Sequence, residues 1–312
     1  MTEIKRPLII IAGPTATGKT KLSVELAKIV DGEIISADSI QVYKGMDIGS
    51  AKVTKEEMCG IRHHLIDVLA PSEEFNITVF QRLAKAAIED IYSRGKVPIL
   101  AGGTGFYIQS VLYDIDFTEN EENSEIREEL VRISLEENGK DILFDMLREI
   151  DPKSAASIDK NNVKRIIRAI EFYKLSGKKI SEHNEEQSKK EAAYNASFFV
   201  LTDDRKVLYE RIDRRVDKMI SDGLVDEVKA LLKSGMTKDM VSMQGIGYKE
   251  IVSYLNGEIT LDEAVYIIKR DTRHFAKRQI TWFKREKDVI WFDRSIMSED
   301  EIIKAMTEAY NK

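Results

Sequence analysis

Residues 8–20 read LIIIAGPTATGKT: an unbroken apolar run, two glycines framing four residues, then Lys19 and Thr20. A short apolar run ahead of a glycine reads as a buried strand. Gly13, Pro14, Thr15, Ala16, Thr17, Gly18, Lys19 and Thr20 have the spacing of a phosphate loop. Leu22, Leu26 and Ile29 then share one helical face over residues 18–30. Strand, glycine loop and helix are the setting such a loop requires. Backbone amides at the helix start point at an anion, and the helix dipole adds a favourable field. Lys19 neutralises phosphate charge, and Thr20 offers a hydroxyl to Mg²⁺. The loop alone leaves open whose phosphate it holds. A kinase, an ATPase, a GTPase and an enzyme that expels pyrophosphate all fit.

Outward from this loop the first hundred residues alternate strand and helix signals. EIISA (33–37), HHLIDV (63–68) and VPILAGG (97–103) read as strands, with helices over 76–93 and 105–112. Such alternation predicts an α/β fold with a parallel sheet flanked by helices, its ligands at the carboxyl ends of the strands. From Phe117 the strands stop, and helical patterns follow over 125–137, 140–149, 161–175 and 180–187. ASFFVLT (196–202) resumes the strand pattern, helices run from Asp204 to Arg285, and VIWF (289–292) and 298–311 read as a last strand and helix. The expected organisation is a phosphate-loop core of residues 1–116 and 195–312, interrupted by an all-helical insertion over 117–194.

The chain has 312 residues, is 43% hydrophobic and 33% charged, and carries a formal net charge of −6. That composition suits a globular protein of one large or two modest domains. No apolar stretch approaches the roughly 20 residues that cross a bilayer, and MTEIKRPLIII is no secretory signal. The expected location is the cytoplasm, with no membrane partner and a monomer as the default. The single cysteine, Cys59, excludes an internal disulfide and is expected to be a half-buried small hydrophobe.

The net charge hides segregation. Residues 116–137 hold nine acids against Arg127 and Arg132. Residues 160–179 hold seven bases against Glu171, and residues 269–287 hold eight against Asp271 and Glu286. Basic faces on an acidic protein suit a local polyanion site, although solvated helical faces would look the same. In 266–286, Lys269, Arg273 and Lys277 form one stripe and Arg270, His274 and Arg278 the next, with Phe275, Ile280 and Phe283 among them. Bases interleaved with aromatics suit an RNA loop, where nucleobases stack while phosphates are neutralised.

EIISA delivers Asp38 and Ser39 to the sheet edge, beside the phosphate loop if sequential strands pair. Asp38 is a candidate metal ligand or proton acceptor, or a cap for the next turn. AGGTGFY (101–107) carries glycines where an ATPase would carry a Walker-B aspartate. Gly102, Gly103 and Gly105 allow close backbone approach, and Thr104 can donate to an oxyanion. Arg211 and Arg215 lie four apart on a helix; they aim at the phosphate loop or pair with Asp213 and Asp217. His63 and His64 are expected to cap or pack.

Together these stretches resemble the tRNA dimethylallyltransferases, also termed tRNA isopentenyltransferases. GPTATGKT, ISADSIQVYKGMDIGSAK, HHLIDV, GGTGFY, KRIIRAIE, ISDGLVDEV, IGYKE and TRHFAKRQITWF occur in that family's order across nearly the full chain. The resemblance implies transfer of a dimethylallyl group from its diphosphate to the exocyclic amine of the adenine next to the anticodon. It implies Mg²⁺ as cofactor, and as partners the anticodon stem-loop of a tRNA and dimethylallyl diphosphate, with ATP a second candidate for the loop. Asp38 matches the family's base, and Thr104 and Arg215 match positions that contact the diphosphate. Ser39, Ile40 and Gln41 match the segment that meets the flipped adenine. Arg127, Thr104 and the run Lys164, Arg165, Ile166, Ile167, Arg168 match positions that contact RNA, giving the helical insertion an RNA-clamping role. Val163 stands where many members have proline, and the chain is expected to be bacterial in type, without the C-terminal zinc finger of eukaryotic relatives. The rivals are a phosphate-loop nucleoside or nucleotide kinase and an RNA-binding ATPase.

Overall fold

In a computed structural model, residues 5–117 and 125–311 are described. Glu119, Glu121 and Glu122 of the acidic stretch lie outside them. The chain divides into two compact units, residues 1–112 with 192–312 and residues 113–191, the second beginning and ending a few residues earlier than the helical pattern suggests.

The first unit is built on six parallel strands: β1 (Pro7–Ala12), β2 (Gly32–Ala37), β3 (His63–His64), β4 (Val97–Gly102), β5 (Asn195–Thr202) and β6 (Val289–Asp293). Their order is β3-β2-β4-β1-β5-β6. β1 and β2 are not neighbours, because β4 lies between them, pairing Ile10 with Leu100 on one side and Ile35 with Leu100 on the other. Asp38 still reaches the phosphate loop, since parallel strands end at one edge whichever order they take. HHLIDV yields only the two-residue β3, and Leu65 and Asp67 turn the chain at positive φ.

Helices cover both faces: α1 (Lys19–Val30), α2 (Lys55–Met58), α3 (Ile77–Ser93) and α4 (Gly105–Leu112). Burial on both faces is why Leu8, Ile9, Ile10 and Ile11 are apolar without alternation. Cys59 caps α2 in a left-handed turn and is exposed, not half-buried.

The second unit holds α5 (Glu125–Ser134), α6 (Gly139–Ile150), α7 (Pro152–Ser157), α8 (Val163–Ser176) and α9 (Ile180–Gln187). Leu130, Leu143, Leu147, Ile166, Ile167 and Ile170 form its core. The periodicity missed α2 and α7, which are too short to show a repeat.

After β5 the first unit continues with α10 (Arg205–Ser221), α11 (Leu224–Lys233), α12 (Tyr248–Leu255) and α13 (Leu261–Phe283), and after β6 with α14 (Glu299–Tyr310). Reciprocal capping boxes start α13 at Thr260 and Glu263 and α14 at Ser298 and Glu301. Ile302 and Met306 of α14 join Leu22, Leu26 and Phe199 in the core on the α1 side of the sheet.

Candidate active site

β1 ends in the phosphate loop, whose glycines are fixed by crowding. A Cβ on Gly13, at φ +143°, would stand 2.5 Å from the Leu201 carbonyl oxygen. Gly18 starts α1 at φ 77°, the left-handed region that glycine enters without cost. The Thr17 hydroxyl donates to the Pro14 carbonyl at 2.7 Å. The Lys19 ammonium folds back into the loop, donating to the carbonyls of Gly13 at 2.9 Å and Pro14 at 2.7 Å. Burial, with Arg215 nearby, brings the Lys19 ammonium down to about 7 against the opposing pull of Asp38. A bound anion would oppose that shift by favouring the charged ammonium.

Asp38 follows β2. Its Oδ1 accepts the amides of Ile40 at 2.8 Å and Gln41 at 3.2 Å, so the turn-capping role is real. Oδ2 takes no hydrogen bond among the described residues, which leaves one carboxylate oxygen for chemistry. Gln41 donates to the carbonyls of Ser50 and Ala51, pulling the loop after β2 over the site. Glu227 holds that loop from α11: its carboxylate accepts the amides of Asp47, Ile48 and Gly49 at 2.7–3.0 Å and the Tyr248 hydroxyl at 2.8 Å.

Arg215 of α10 approaches the Thr15 hydroxyl at 3.3 Å and the Ala51 carbonyl at 3.4 Å. Burial lowers its pKa, and Asp38 and Glu57 offset this; a guanidinium stays charged regardless. Arg211 pairs instead with Asp203. Asp213 and Asp217, the alternative partners, are taken by Arg273 and Lys269.

Two cavities meet here. One, of about 190 Å³, is lined by Gly18, Lys19, Thr20, Ser36, Gly102 and Gly103. The other, of about 430 Å³, is mostly apolar, with Ile40, Phe75, Tyr107, Val216, Met219 and Ile268 in its wall and Thr104 and Ser39 at its polar end. Asp38, Arg215, Thr15, Phe275 and Gln279 line both. A phosphate pocket opening into an apolar one, with a carboxylate and a buried cation at the seam, suits an apolar group esterified to phosphate that reacts at the seam.

No group of three or more His, Cys, Asp or Glu among the described residues could hold a metal by itself. The Thr20 hydroxyl and the Asp38 carboxylate are hard oxygen donors on one cavity, a set that fits Mg²⁺ shared with phosphate oxygens.

The other candidates separate. On α13, Arg273 is bound by Asp213, whereas Lys277 and Arg278 are exposed, Arg278 over the Phe275 ring at 5.7 Å. In the helical unit Lys164 and Arg165 are exposed, and Arg127 donates to the buried Glu171 at 2.9 Å, with Arg168 at 3.8 Å from the same carboxylate. Ile166 and Ile167, in the same run, have their side chains buried in that unit's core, where they hold α8 in place. Sequence reasoning missed Gln279, whose Oε1 accepts the Thr15 amide at 3.0 Å and whose Nε2 donates to the Gly103 carbonyl at 2.9 Å. It also missed Glu227 and Arg294. A single polar residue has no periodicity to betray it.

A family model described as IPP transferase matches residues 41–286. A tRNA dimethylallyltransferase of Lachnoclostridium phytofermentans is 57% identical over 308 residues, spanning 97% of this chain and 98% of that protein. One from Acetivibrio thermocellus is 51% identical, spanning 95% and 94%. Among solved structures, a tRNA isopentenylpyrophosphate transferase from Bacillus halodurans superposes with a TM-score of 0.73 at 46% identity, covering 98% of this chain and 95% of that one. A eukaryotic dimethylallyltransferase acting on tRNA gives 0.84 at 30% identity, covering 97% and 77%.

Proposed function

The chain belongs to the IPP transferase family and is a tRNA dimethylallyltransferase, and on that premise we propose which of its residues carry the reaction. The reaction joins the exocyclic N6 of the adenosine beside the anticodon to the first carbon of the dimethylallyl group, and diphosphate leaves. Nothing in the site or its relatives favours a kinase.

The diphosphate lies in the cradle from Gly13 to Thr20, and the five-carbon chain lies in the apolar cavity. The observation that supports this reading is that Asp38 and Arg215 line both cavities, where the ester carbon of such a ligand would lie. As N6 attacks, its proton goes to Asp38 Oδ2 while Oδ1 stays committed to the turn. The C–O bond breaks with charge growing on the bridging oxygen. Lys19, Arg215 and the Thr104 hydroxyl stabilise that charge from fixed positions. The Thr20 hydroxyl would hold Mg²⁺, which would supply further charge neutralisation to the diphosphate and leave Asp38 Oδ2 free for the proton. Ser39, Ile40 and Gln41 form the wall against which the flipped adenine rests.

RNA is gripped by Lys277 and Arg278 on the core, and by Lys164, Arg165, Arg168 and Arg127 on the helical unit, which contacts the anticodon stem-loop. ATP competes for the same loop, because the cradle reads a diphosphate and not its ester. One chain supplies every group named, so a monomer suffices. No helix among the described residues is long and apolar enough to cross a membrane. A tRNA substrate supports a cytoplasmic location as part of this proposal.

The test is mass spectrometry of nucleosides from unmodified tRNA incubated with the protein, Mg²⁺ and dimethylallyl diphosphate. One five-carbon unit gained on adenosine with wild type, and lost with Asp38→Asn, supports the assignment. Equal gain with both removes Asp38 as the base.

A further inference from the structure

Arg294 lies in the turn between β6 and α14, far in sequence from the phosphate loop. Its amide donates to the Thr202 carbonyl at 3.0 Å, which ties the turn to β5. Its guanidinium reaches the outer side of the loop, where Nη1 donates to the Thr17 carbonyl at 2.7 Å. It packs so closely that a Cβ on Gly18 would stand 2.2 Å from Nη1. Nη2 donates to Glu299 at 2.5 Å, and Glu299 also pairs at 2.5 Å with Lys21 in the first turn of α1. The Arg294 side chain is only 16% exposed.

The peptide between Thr17 and Gly18 is trans, since the described chain has no cis bond. In a trans peptide the carbonyl and the following N–H point in opposite directions. A guanidinium that holds the Thr17 carbonyl outward therefore aims the Gly18 amide the other way, into the cavity that Gly18 lines. That peptide would otherwise turn over easily. Flipping it changes φ at Gly18, and glycine accepts either sign.

We infer that Arg294 is a positioning residue for the diphosphate: it pins the Thr17–Gly18 peptide so that the Gly18 amide faces the ligand. This rests on the reading that the cradle holds diphosphate. Arg294 lies behind the loop and touches no reacting atom. Losing it divides the loop between two peptide orientations, and apparent affinity falls by the fraction that remains competent. Substrate binding restores the competent form, so KM moves and kcat does not.

The experiment measures Mg·pyrophosphate binding by calorimetry, together with KM, kcat, tRNA affinity and Tm, for wild type, Lys19→Ala, Arg294→Ala, Arg294→Lys and Glu299→Gln. Arg294→Ala is expected to weaken pyrophosphate and raise the KM for dimethylallyl diphosphate about tenfold. Its kcat and tRNA affinity should stay within twofold. Arg294→Lys keeps one donor and recovers part of the loss, and remains measurable if the alanine variant does not fold. Glu299→Gln keeps the Thr17 bond and should stay within threefold. The inference is overturned if both Arg294 variants bind pyrophosphate like wild type while Lys19→Ala does not, or if Tm alone falls. Should Lys19→Ala also bind normally, the diphosphate reading itself is at fault.

Discussion

Gln279 accepts the backbone amide of Thr15 at 3.0 Å while its amide nitrogen donates to the Gly103 carbonyl at 2.9 Å. One side chain on α13 thus joins the phosphate loop after β1 to the glycine turn after β4. Gly103 must lack a side chain for this, since a Cβ there would meet Nε2 at 2.1 Å. Gln279 is 6% exposed, and its loss would leave the Thr15 amide and the Gly103 carbonyl without their protein partner. Gln279→Ala is expected to lower kcat/KM on the order of 10-fold to 100-fold, the equivalent of about 1.4–2.8 kcal/mol for two partly buried hydrogen bonds. Gln279→Glu keeps the acceptor and loses the donor, and puts a negative charge beside the diphosphate, so it should be worse. Steady-state kinetics on both variants decide this, and near-normal kcat/KM in Gln279→Ala contradicts it.

Asp38 divides its labour between its two oxygens, which makes Asn the informative replacement. Asn keeps an acceptor for the amides of Ile40 and Gln41 but cannot take the N6 proton. Asp38→Asn should cost on the order of 100-fold or more in kcat with tRNA affinity retained. Single-turnover rates and a filter-binding curve separate the two effects. A tRNA affinity that fell in step with turnover would mean that the turn, not the proton, had been lost.

The bases of α13 are not equivalent, although they fall on regular stripes. Arg273 is held by both oxygens of Asp213 at 2.5 and 2.8 Å, whereas Lys277 and Arg278 are exposed. Lys277→Ala and Arg278→Ala should each weaken tRNA binding and reduce the slope of log affinity against log salt by about one. Arg273→Ala should change that slope less. Affinities measured across a range of salt test the ranking, and equal slopes for all three variants would refute it.

His63 offers a pH signature. Its Nδ1 lies 2.9 Å from the Ile61 carbonyl, which can only accept, so Nδ1 carries the proton in the neutral ring. Nε2 is buried without a hydrogen-bond partner among the described residues. Burial holds the His63 pKa below its ordinary value; the Ile61 bond opposes this, and His64 adds to it. The unfolded chain therefore binds a proton that the folded one resists. Stability from this group is complete above about 6.5 and is lost as pH falls through that value, at no more than about 1.4 kcal/mol per pH unit. In His63→Asn the amide can replace the Nδ1 donor without titrating. Urea unfolding between pH 7.5 and 5.5 should show a shallower decline for that variant, and an unchanged slope would clear His63 of the effect.

The phosphate loop was legible because it is local. Eight consecutive residues carry both the chemistry and the conformation, and the apolar run before them and the helical face after them need no distant partner. The helix over 77–93 was legible for a similar reason, since an amphipathic stripe records one buried face, whereas the helices between Asp204 and Arg285 were legible only as an undivided run. Roles for Asp38 and Arg215 were available only as alternatives from position, and the resemblance had to choose between them.

What the tertiary structure alone decided were the pairings that cross the chain. β4 separates β1 from β2, which no rule about sequential strands could supply. Thr15 meets Gln279, Thr17 meets Arg294 and the 47–49 loop meets Glu227, all more than 170 residues apart. Each is a lone polar side chain whose partner is a backbone group, and every residue but proline offers the same amide and carbonyl. The sequence therefore determines that these side chains can bond, and the order of the strands determines what they bond to.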